Sequence, residues 1–569
     1  MQIKGIGASK GIAIAKVFKI EELPIEIPSK SKGAELEIKL FDDAIAKISA
    51  DINKTIEIAK TQEQKEIFGA HLQLVQDPVA ADDIKKAIKD QNQSAIFATN
   101  EYFNNMSAIF DQMDDAYMKE RASDIRDILK KFLYFFNGIQ EPDLTAIKDE
   151  VIVVAKDLAP SQTVQLDKKY IKGFATNIGG TTSHTAIMAR SMNIPSVVGT
   201  NNVLESCKNG DIIALDGSTG ILVINPNKEE LNKYQKLLDE YNVYQNMIQS
   251  YKGKPTITID NHHVELAANI GSVADVKNAI ENDAEAVGLF RTEFLYMDND
   301  HWPTEDEQFE SYKAVAQAMN GKRVVIRTLD IGGDKTLKYY NFPPEMNPFL
   351  GYRAIRLCLD PQHKDIFKTQ LRAIIRASEF GKVAIMFPMI TNIPEFLAAK
   401  DIYLEVYKEV SKVNKKIAKV NEIEVGLMME TPAAAILSDQ FCKYADFVSI
   451  GTNDLIQYSM AADRMNESIS YLYQPLNPSI LRLIKSIIDG AHKHGKWAGM
   501  CGEMAGAPEA APLLLGLGLD EFSVGAGSIL KTRKLINSLS KKELEKVALK
   551  VINCDSEQEV KKIVAKYLK

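Results

Sequence analysis

The chain has 569 residues, 45% of them hydrophobic and 25% charged, with a formal net charge of −7. That length exceeds what one core organises and predicts about two to four domains. The acidic balance without a basic run excludes a nucleic-acid footprint, no apolar run of about eighteen residues offers a membrane span, and five scattered cysteines without a CxxC pair argue against disulfides or structural zinc and for a reducing, cytoplasmic setting.

Residues 1 to about 25 alternate glycine turns with short apolar runs such as GIAIAKVFKI and predict a strand pair. From about Gly33 to Asn137 the pattern changes. Stretches such as AELEIKLFDDAIAKISADINKTIEIAK and IRDILKKFLYFFNG carry apolar residues three and four apart, which predicts a helical subdomain of about four helices, broken near Pro78 and Asp90. Strand character resumes at EVIVVA (150–155) and continues through GFATNIGG, IPSVVGT, DIIALDG and GILVINP, the punctuation of a compact α/β unit. The N-terminal strands are expected to join that unit. Residues 1–26 and 143–226 then form an α/β domain, with 27–142 as its helical insertion. The charged, helix-favouring run NKEELNKYQKLLDEYNVYQNMIQSYKG predicts a linker over 227–258.

Beyond about His263, runs suited to buried parallel strands appear at VELAANI, AVGLF, RVVIRTL, VAIMFPM, EVGLMME, FVSIG, WAGMCG and EFSVG, each followed by helical periodicity. Eight strand-then-helix units predict a (β/α)₈ barrel over 259–569, with its active site at the C-terminal strand ends. The fold class read from the sequence is therefore multidomain α/β.

Within the α/β unit, GGTTSHTAIMAR (179–190) sets His184 behind a glycine turn and cap-type residues Thr181, Thr182 and Ser183, at the start of an amphipathic helix. A side chain there meets the positive end of the helix dipole, so His184 can carry an anion such as a phosphoryl group. Those twelve residues alone fit equally an exposed histidine beside an ordinary cap.

Polar residues cluster after the barrel strands. Arg291 and Glu293 follow AVGLF; Arg327, Asp330 and Lys335 lie in RTLDIGGDK; Glu430 closes VGLMME; Asn453 and Asp454 follow SIGT, with Arg464 ten residues on; Cys501 and Glu503 lie in MCGEM. Glu430 and Asp454 suit Mg²⁺, a hard ion that prefers oxygen ligands and keeps places for water and phosphate. The arginines and Lys335 suit a small, multiply anionic substrate. Cys501 fits either a small buried residue or a proton donor to a developing enolate.

GGTTSHTAIMAR, RTLDIGGDK, NPFLGYRAIR, EVGLMMETPAA, SIGTNDLIQYSMAADR and CGEMAG together resemble the phosphoenolpyruvate-utilising enzymes, most closely the enzyme I group of bacterial sugar phosphotransferase systems. The resemblance runs end to end and takes in IFGAHLQLVQDP and YMKERASDIRDI of the helical block. It implies that His184 is a phosphohistidine, that Glu430 and Asp454 bind Mg²⁺, and that Arg291, Arg327, Lys335, Arg353, Asn453 and Arg464 hold phosphoenolpyruvate. It also implies that Cys501 protonates the enolate, that the helical subdomain docks the phosphocarrier protein HPr, and that the chain forms a homodimer through the barrel. The rival members, pyruvate phosphate dikinase and phosphoenolpyruvate synthase, carry a large nucleotide-binding domain ahead of the phosphohistidine unit, and none is expected here. A non-catalytic phosphoenolpyruvate sensor is expected to have lost one of His184, Arg327, Glu430 or Asp454, and all four are present. Lys10 stands where the family commonly has proline, far from the motifs.

Overall fold

The structure, a computed structural model, describes residues 1–21, 24–58, 62–112, 116–140, 144–163, 165–181 and 183–568. The expected limit between 142 and 143, and the cap candidate Thr182, fall outside them. Two compact units emerge, Met1–Gln245 and Asn246–Lys569.

The first unit is built on an eight-stranded sheet: β1 (Gln2–Lys4), β2 (Ile6–Ser9), β3 (Ile12–Ile20), β4 (Val151–Ala155), β5 (Ile171–Thr176), β6 (Ser196–Val198), β7 (Ile212–Asp216) and β8 (Ile221–Ile224), in the order β1-β8-β7-β3-β4-β5-β6-β2. The strands from β3 to β6 are parallel, whereas β1, β2, β7 and β8 pair antiparallel. The expected N-terminal pair is thus three strands, and β1 and β2 lie on opposite edges of the sheet although Gly5 alone separates them. The sheet must curl until its edges meet. Gly5 makes that crossing possible: its N–H donates to the Gly220 carbonyl at 2.8 Å, and a Cβ there would stand 2.6 Å from the Val198 oxygen.

Between β3 and β4 the described residues form five helices rather than about four: Ala34–Ile58, Gln62–Val75, Pro78–Asp90, Ala95–Asp111 and Ala116–Phe136. The helices close on their own core around Phe41, Phe68, Phe103 and Phe132, so the block is an insertion with its own hydrophobic support. Asp77 and Ser94 cap the third and fourth helices through their side chains.

Helix Lys228–Gln249 follows β8 and spans the limit of the two units. Its first half packs Tyr234 against Ala214 and Val223 of the sheet. Just beyond the helix, the chain is tied into the second unit by the fully buried Arg533. That guanidinium donates to the Tyr251 carbonyl (3.2 Å), the Thr256 hydroxyl (3.0 Å) and Glu285 (3.2 Å), and it pairs with Asp283.

The second unit is the expected (β/α)₈ barrel. Eight parallel strands close the ring: β9 (Glu265–Ile270), β10 (Ala286–Arg291), β11 (Val324–Arg327), β12 (Val383–Phe387), β13 (Glu424–Met429), β14 (Phe447–Ile450), β15 (Trp497–Met500) and β16 (Glu521–Gly525). Each corresponds to one of the eight apolar runs. Leu289, Val325, Ala384, Met386, Met428 and Phe447 fill the interior, so the barrel is a packed core and leaves chemistry to its rim. At the N-terminal floor, Arg323 pairs with Glu265 and Glu521 and stacks 3.9 Å from the Trp497 ring.

Candidate functional site

In the first unit, His184 is the first residue of helix His184–Met192, which leaves the C-terminal end of β5. Ser183 caps the helix with extended backbone (φ −64°, ψ 154°) and accepts the Ala186 N–H at 3.3 Å. The turn before it needs glycine: Gly179 has φ +114°, and a Cβ on Gly199 (φ +64°) would stand 2.9 Å from the Gly179 oxygen. Behind the helix, Ala186 packs on Ala8 and Val198, and the Thr185 hydroxyl donates to Asp157 at 3.1 Å. The backbone at His184 is therefore fixed from both sides, at a helix end whose dipole favours an anion. The position of the imidazole lies outside the described atoms.

In the second unit, a cavity of about 560 Å³ opens at the C-terminal ends of the barrel strands. Arg291, Arg327, Lys335, Arg353, Glu430, Asn453, Asp454, Arg464 and Cys501 all line it, as do Glu293, Asp330 and Glu503. Strand β11 ends on Arg327, whose Nη2 donates to Glu293 at 2.6 Å and whose Nη1 lies 2.9 Å from Asp330. Lys335 reaches the same two carboxylates at 3.0 and 3.2 Å, and Arg353 Nη2 donates to Asp330 at 2.8 Å. Burial works against ionising Glu293 and Asp330, but the charges of Arg327 and Lys335 outweigh it and hold both carboxyls below their ordinary range. Glu293 and Asp330 thus anchor the cations. Arg464 is held more loosely, 3.8 Å from Asp334 and 3.9 Å from Asp454.

Glu430 and Asp454 form the other half of the cavity. Glu430 Oε1 accepts the Met389 N–H at 2.5 Å. Burial, with the nearby charges of Asp454 and Asp330, pushes the Glu430 carboxyl up to about 8. Asp454 Oδ1 is buried without a hydrogen-bond donor. Two carboxylates pressed together, one oxygen unmet, are what a divalent cation would satisfy. Among the described residues no set of three or more His, Cys, Asp or Glu side chains converges as a cage. The pair alone would leave most coordination places open, which fits Mg²⁺ with its waters and substrate oxygens better than an all-protein site. Asn453 is held by reciprocal bonds with Glu503, its Nδ2 donating to the carboxylate at 3.2 Å and its Oδ1 accepting the Glu503 N–H at 3.3 Å. Cys501 closes the floor of the cavity among Leu289, Met428 and Phe447, and burial pushes its thiol up to about 11.

Residues 245–541 match the family model described as PEP-utilising enzyme, PEP-binding domain; residues 4–121 match the family's N-terminal model and residues 147–220 its mobile domain. The chain is 50% identical over 572 residues to phosphoenolpyruvate-protein phosphotransferase of Staphylococcus aureus (strain MRSA252), covering 100% of this chain and 99% of that protein. The protein so named from Bacillus subtilis (strain 168) is 51% identical over 563 residues, covering 98% of both, and that from Listeria innocua is 50% identical over 570 residues, covering 100% and 99%. The chain belongs to the phosphoenolpyruvate-utilising enzymes. Within them it falls on the phosphoenolpyruvate-protein phosphotransferase branch, as the motifs implied.

For this member of the family, the structure adds residues that strand-end reasoning left without a role. Glu293 and Asp330 were visible as strand-end carboxylates, but only their 2.6–3.2 Å contacts show what they hold. Tyr458, Phe349 and the Met389 N–H were not singled out at all. Tyr458 had a signal, since it lies four residues after Asp454 on one helix, whereas Met389 acts through its backbone, at φ +55°, and no residue pattern announces that.

Proposed function

We propose that the chain carries the phosphoryl group of phosphoenolpyruvate to a histidine of HPr by way of His184, releasing pyruvate, as the first step of a sugar phosphotransferase system. In this reading Arg291, Arg327, Lys335, Arg353, Asn453 and Arg464 hold the phosphate and carboxylate of the substrate. Glu430 and Asp454 hold Mg²⁺, which when bound spreads the charge of the transferring group. The fixed guanidinium and ammonium groups do the same without reorganising during the reaction. Cys501, kept as a thiol, donates its proton to the C3 carbon of the departing enolate, and pyruvate results.

His184 must come within about 3 to 3.5 Å of the phosphorus, and the same nitrogen must then meet a histidine of another protein. It cannot do both from one place. Residues 1–26 and 143–226 therefore act as a travelling phosphohistidine domain, 27–142 as the HPr-docking subdomain, 227–258 as the linker and 259–569 as the phosphoenolpyruvate-binding barrel through which a homodimer forms. The match of residues 147–220 to the family's mobile domain supports that reading. The proposed place of this work is the cytoplasm; among the described residues no helix is long and apolar enough to cross a membrane.

The observation that carries the proposal is the convergence of five cations and the Glu430–Asp454 pair on one cavity, in a chain whose other unit presents a histidine at a capped helix start. Incubation with labelled phosphoenolpyruvate and Mg²⁺ should place an acid-labile label on His184 and move it to HPr when HPr is added. Label on another residue, or pyruvate release by His184→Ala, would overturn it.

A further inference from the structure

Tyr458 bonds Arg353, which lines the cavity, and its hydroxyl joins three of the segments that build the barrel mouth. It shares helix Thr452–Met460 with Asp454, four residues earlier, so the two side chains leave one helix face. The hydroxyl donates to the Phe349 carbonyl at 2.7 Å and accepts from Arg353 Nη1 at 3.4 Å, which one proton and two lone pairs permit together. Its oxygen also lies 3.8 Å from Met389 Sδ, the residue whose N–H holds Glu430. Held in this way, the Phe349 ring faces two arginines of the cavity, 5.7 Å from the Arg353 guanidinium and 5.8 Å from that of Arg464. The segment needs such a tie. Ala354, directly after Arg353, sits at φ +53°, ψ −126°, a conformation that side-chain-bearing residues keep only when their surroundings enforce it.

We propose that Tyr458 is a positioning residue for phosphoenolpyruvate binding: its hydroxyl latches the Phe349 segment to the helix that bears Asp454, and so orients Arg353 and Arg464 toward the anionic substrate. The inference rests on the proposed role of those two arginines as substrate contacts. Tyr458 itself meets no reacting atom. Phenylalanine in its place keeps the ring packing and loses only the latch, so substrate capture should suffer while the chemical step does not.

The test is steady-state pyruvate release with Mg²⁺ and HPr over a range of phosphoenolpyruvate concentrations, for wild type, Tyr458→Phe, Phe349→Leu, the double variant and Arg464→Ala. Tyr458→Phe should raise KM about tenfold, the equivalent of one lost hydrogen bond to a charged network, with kcat within about threefold. The double variant should be no worse than the poorer single, because both act on one latch. Partial unfolding would scale kcat and leave KM unmoved, so the split separates positioning from stability. A KM within twofold of wild type for Tyr458→Phe while Arg464→Ala raises it, or single effects that multiply in the double variant, would overturn the latch alone. An unchanged KM in Arg464→Ala would remove the reading of the arginines, and the latch with it.

Discussion

Replacing Cys501 by alanine tests the proposed proton donor with little structural damage. The side chain is only 3% exposed and sits among Leu289, Met428 and Phe447, so loss of the sulfur leaves a small void costing about 1 kcal/mol and about 2 °C in melting temperature. The chemical loss should be far larger, since a positioned general acid contributes about 10²–10⁴-fold. With its thiol pushed up to about 11, roughly three molecules in ten thousand are ionised at pH 7.5, and the donor form dominates. The raised value also fixes the sign of the pH dependence: the donor persists through pH 9 and is lost only as the pH approaches about 11, whereas a thiol at its usual 9.0 would fail two pH units earlier. The assay is kcat for pyruvate formation from pH 7 to 10, paired with exchange of pyruvate methyl protons into D₂O by the phosphorylated enzyme. Cys501→Ala should lose about 10²–10⁴-fold in both, with KM for phosphoenolpyruvate nearly unchanged. A kcat within tenfold of wild type, undiminished exchange, or an alkaline limb near pH 9 that vanishes in the variant would refute the reasoning.

Chelation of divalent cations should abolish pyruvate release, and Mg²⁺ should restore it. At about a hundred times its Kd the ion should stabilise the protein by about 2.7 kcal/mol, a gain that calorimetry should find missing in Glu430→Gln. Without metal, the raised Glu430 carboxyl keeps a proton in the folded state that the unfolded chain gives up near 4.5, so its contribution to stability is complete below that pH and lost as the pH rises to about 8; Glu430→Gln should flatten that slope in urea titrations. Ser183→Ala removes the acceptor of the Ala186 N–H and should cost the first unit about 1 kcal/mol, read from its urea midpoint. Arg533→Met leaves Asp283 and Glu285 without their buried partner and should destabilise the barrel unit by about 3–5 kcal/mol in the same measurement.

The barrel was legible because parallel strands buried on both faces read as unbroken apolar runs, and each of the eight runs became a strand. The curled sheet was not. Its N-terminal residues show apolar alternation and glycines, but which edge each strand joins depends on the Gly5 crossing against Val198, a contact 193 residues away in sequence. The number of helices in the insertion was less legible: apolar spacing marks helical stretches, but all five share one core around Phe68 and Phe132, and the periodicity of that core does not count the elements. At the site, residues that act through charge were visible as residue types at strand ends. Those that act through a backbone N–H, as Met389 does, or through one hydroxyl bond, as Tyr458 does, depend on tertiary geometry that composition and spacing do not encode.

The contact distances set Arg464 apart from the tightly held cations of the cavity. Arg327 and Lys335 are gripped at 2.6–3.2 Å by Glu293 and Asp330, carboxylates that stay ionised because those cations outweigh their burial. These charges are in place before any ligand arrives, so they can stabilise a transferring group without moving. Arg353 shares that grip through its Nη2, 2.8 Å from Asp330, whereas Arg464 Nη1 approaches Asp454 only to 3.9 Å, beyond hydrogen-bond range. A cation taken up by Glu430 and Asp454 would compete for that carboxylate and weaken its hold on Arg464, leaving it free to turn to an anionic substrate. Mg²⁺ and phosphoenolpyruvate should therefore bind with positive coupling, each tightening the other by the same factor, because Asp454 can hold the metal ion or Arg464 and the substrate needs that arginine released.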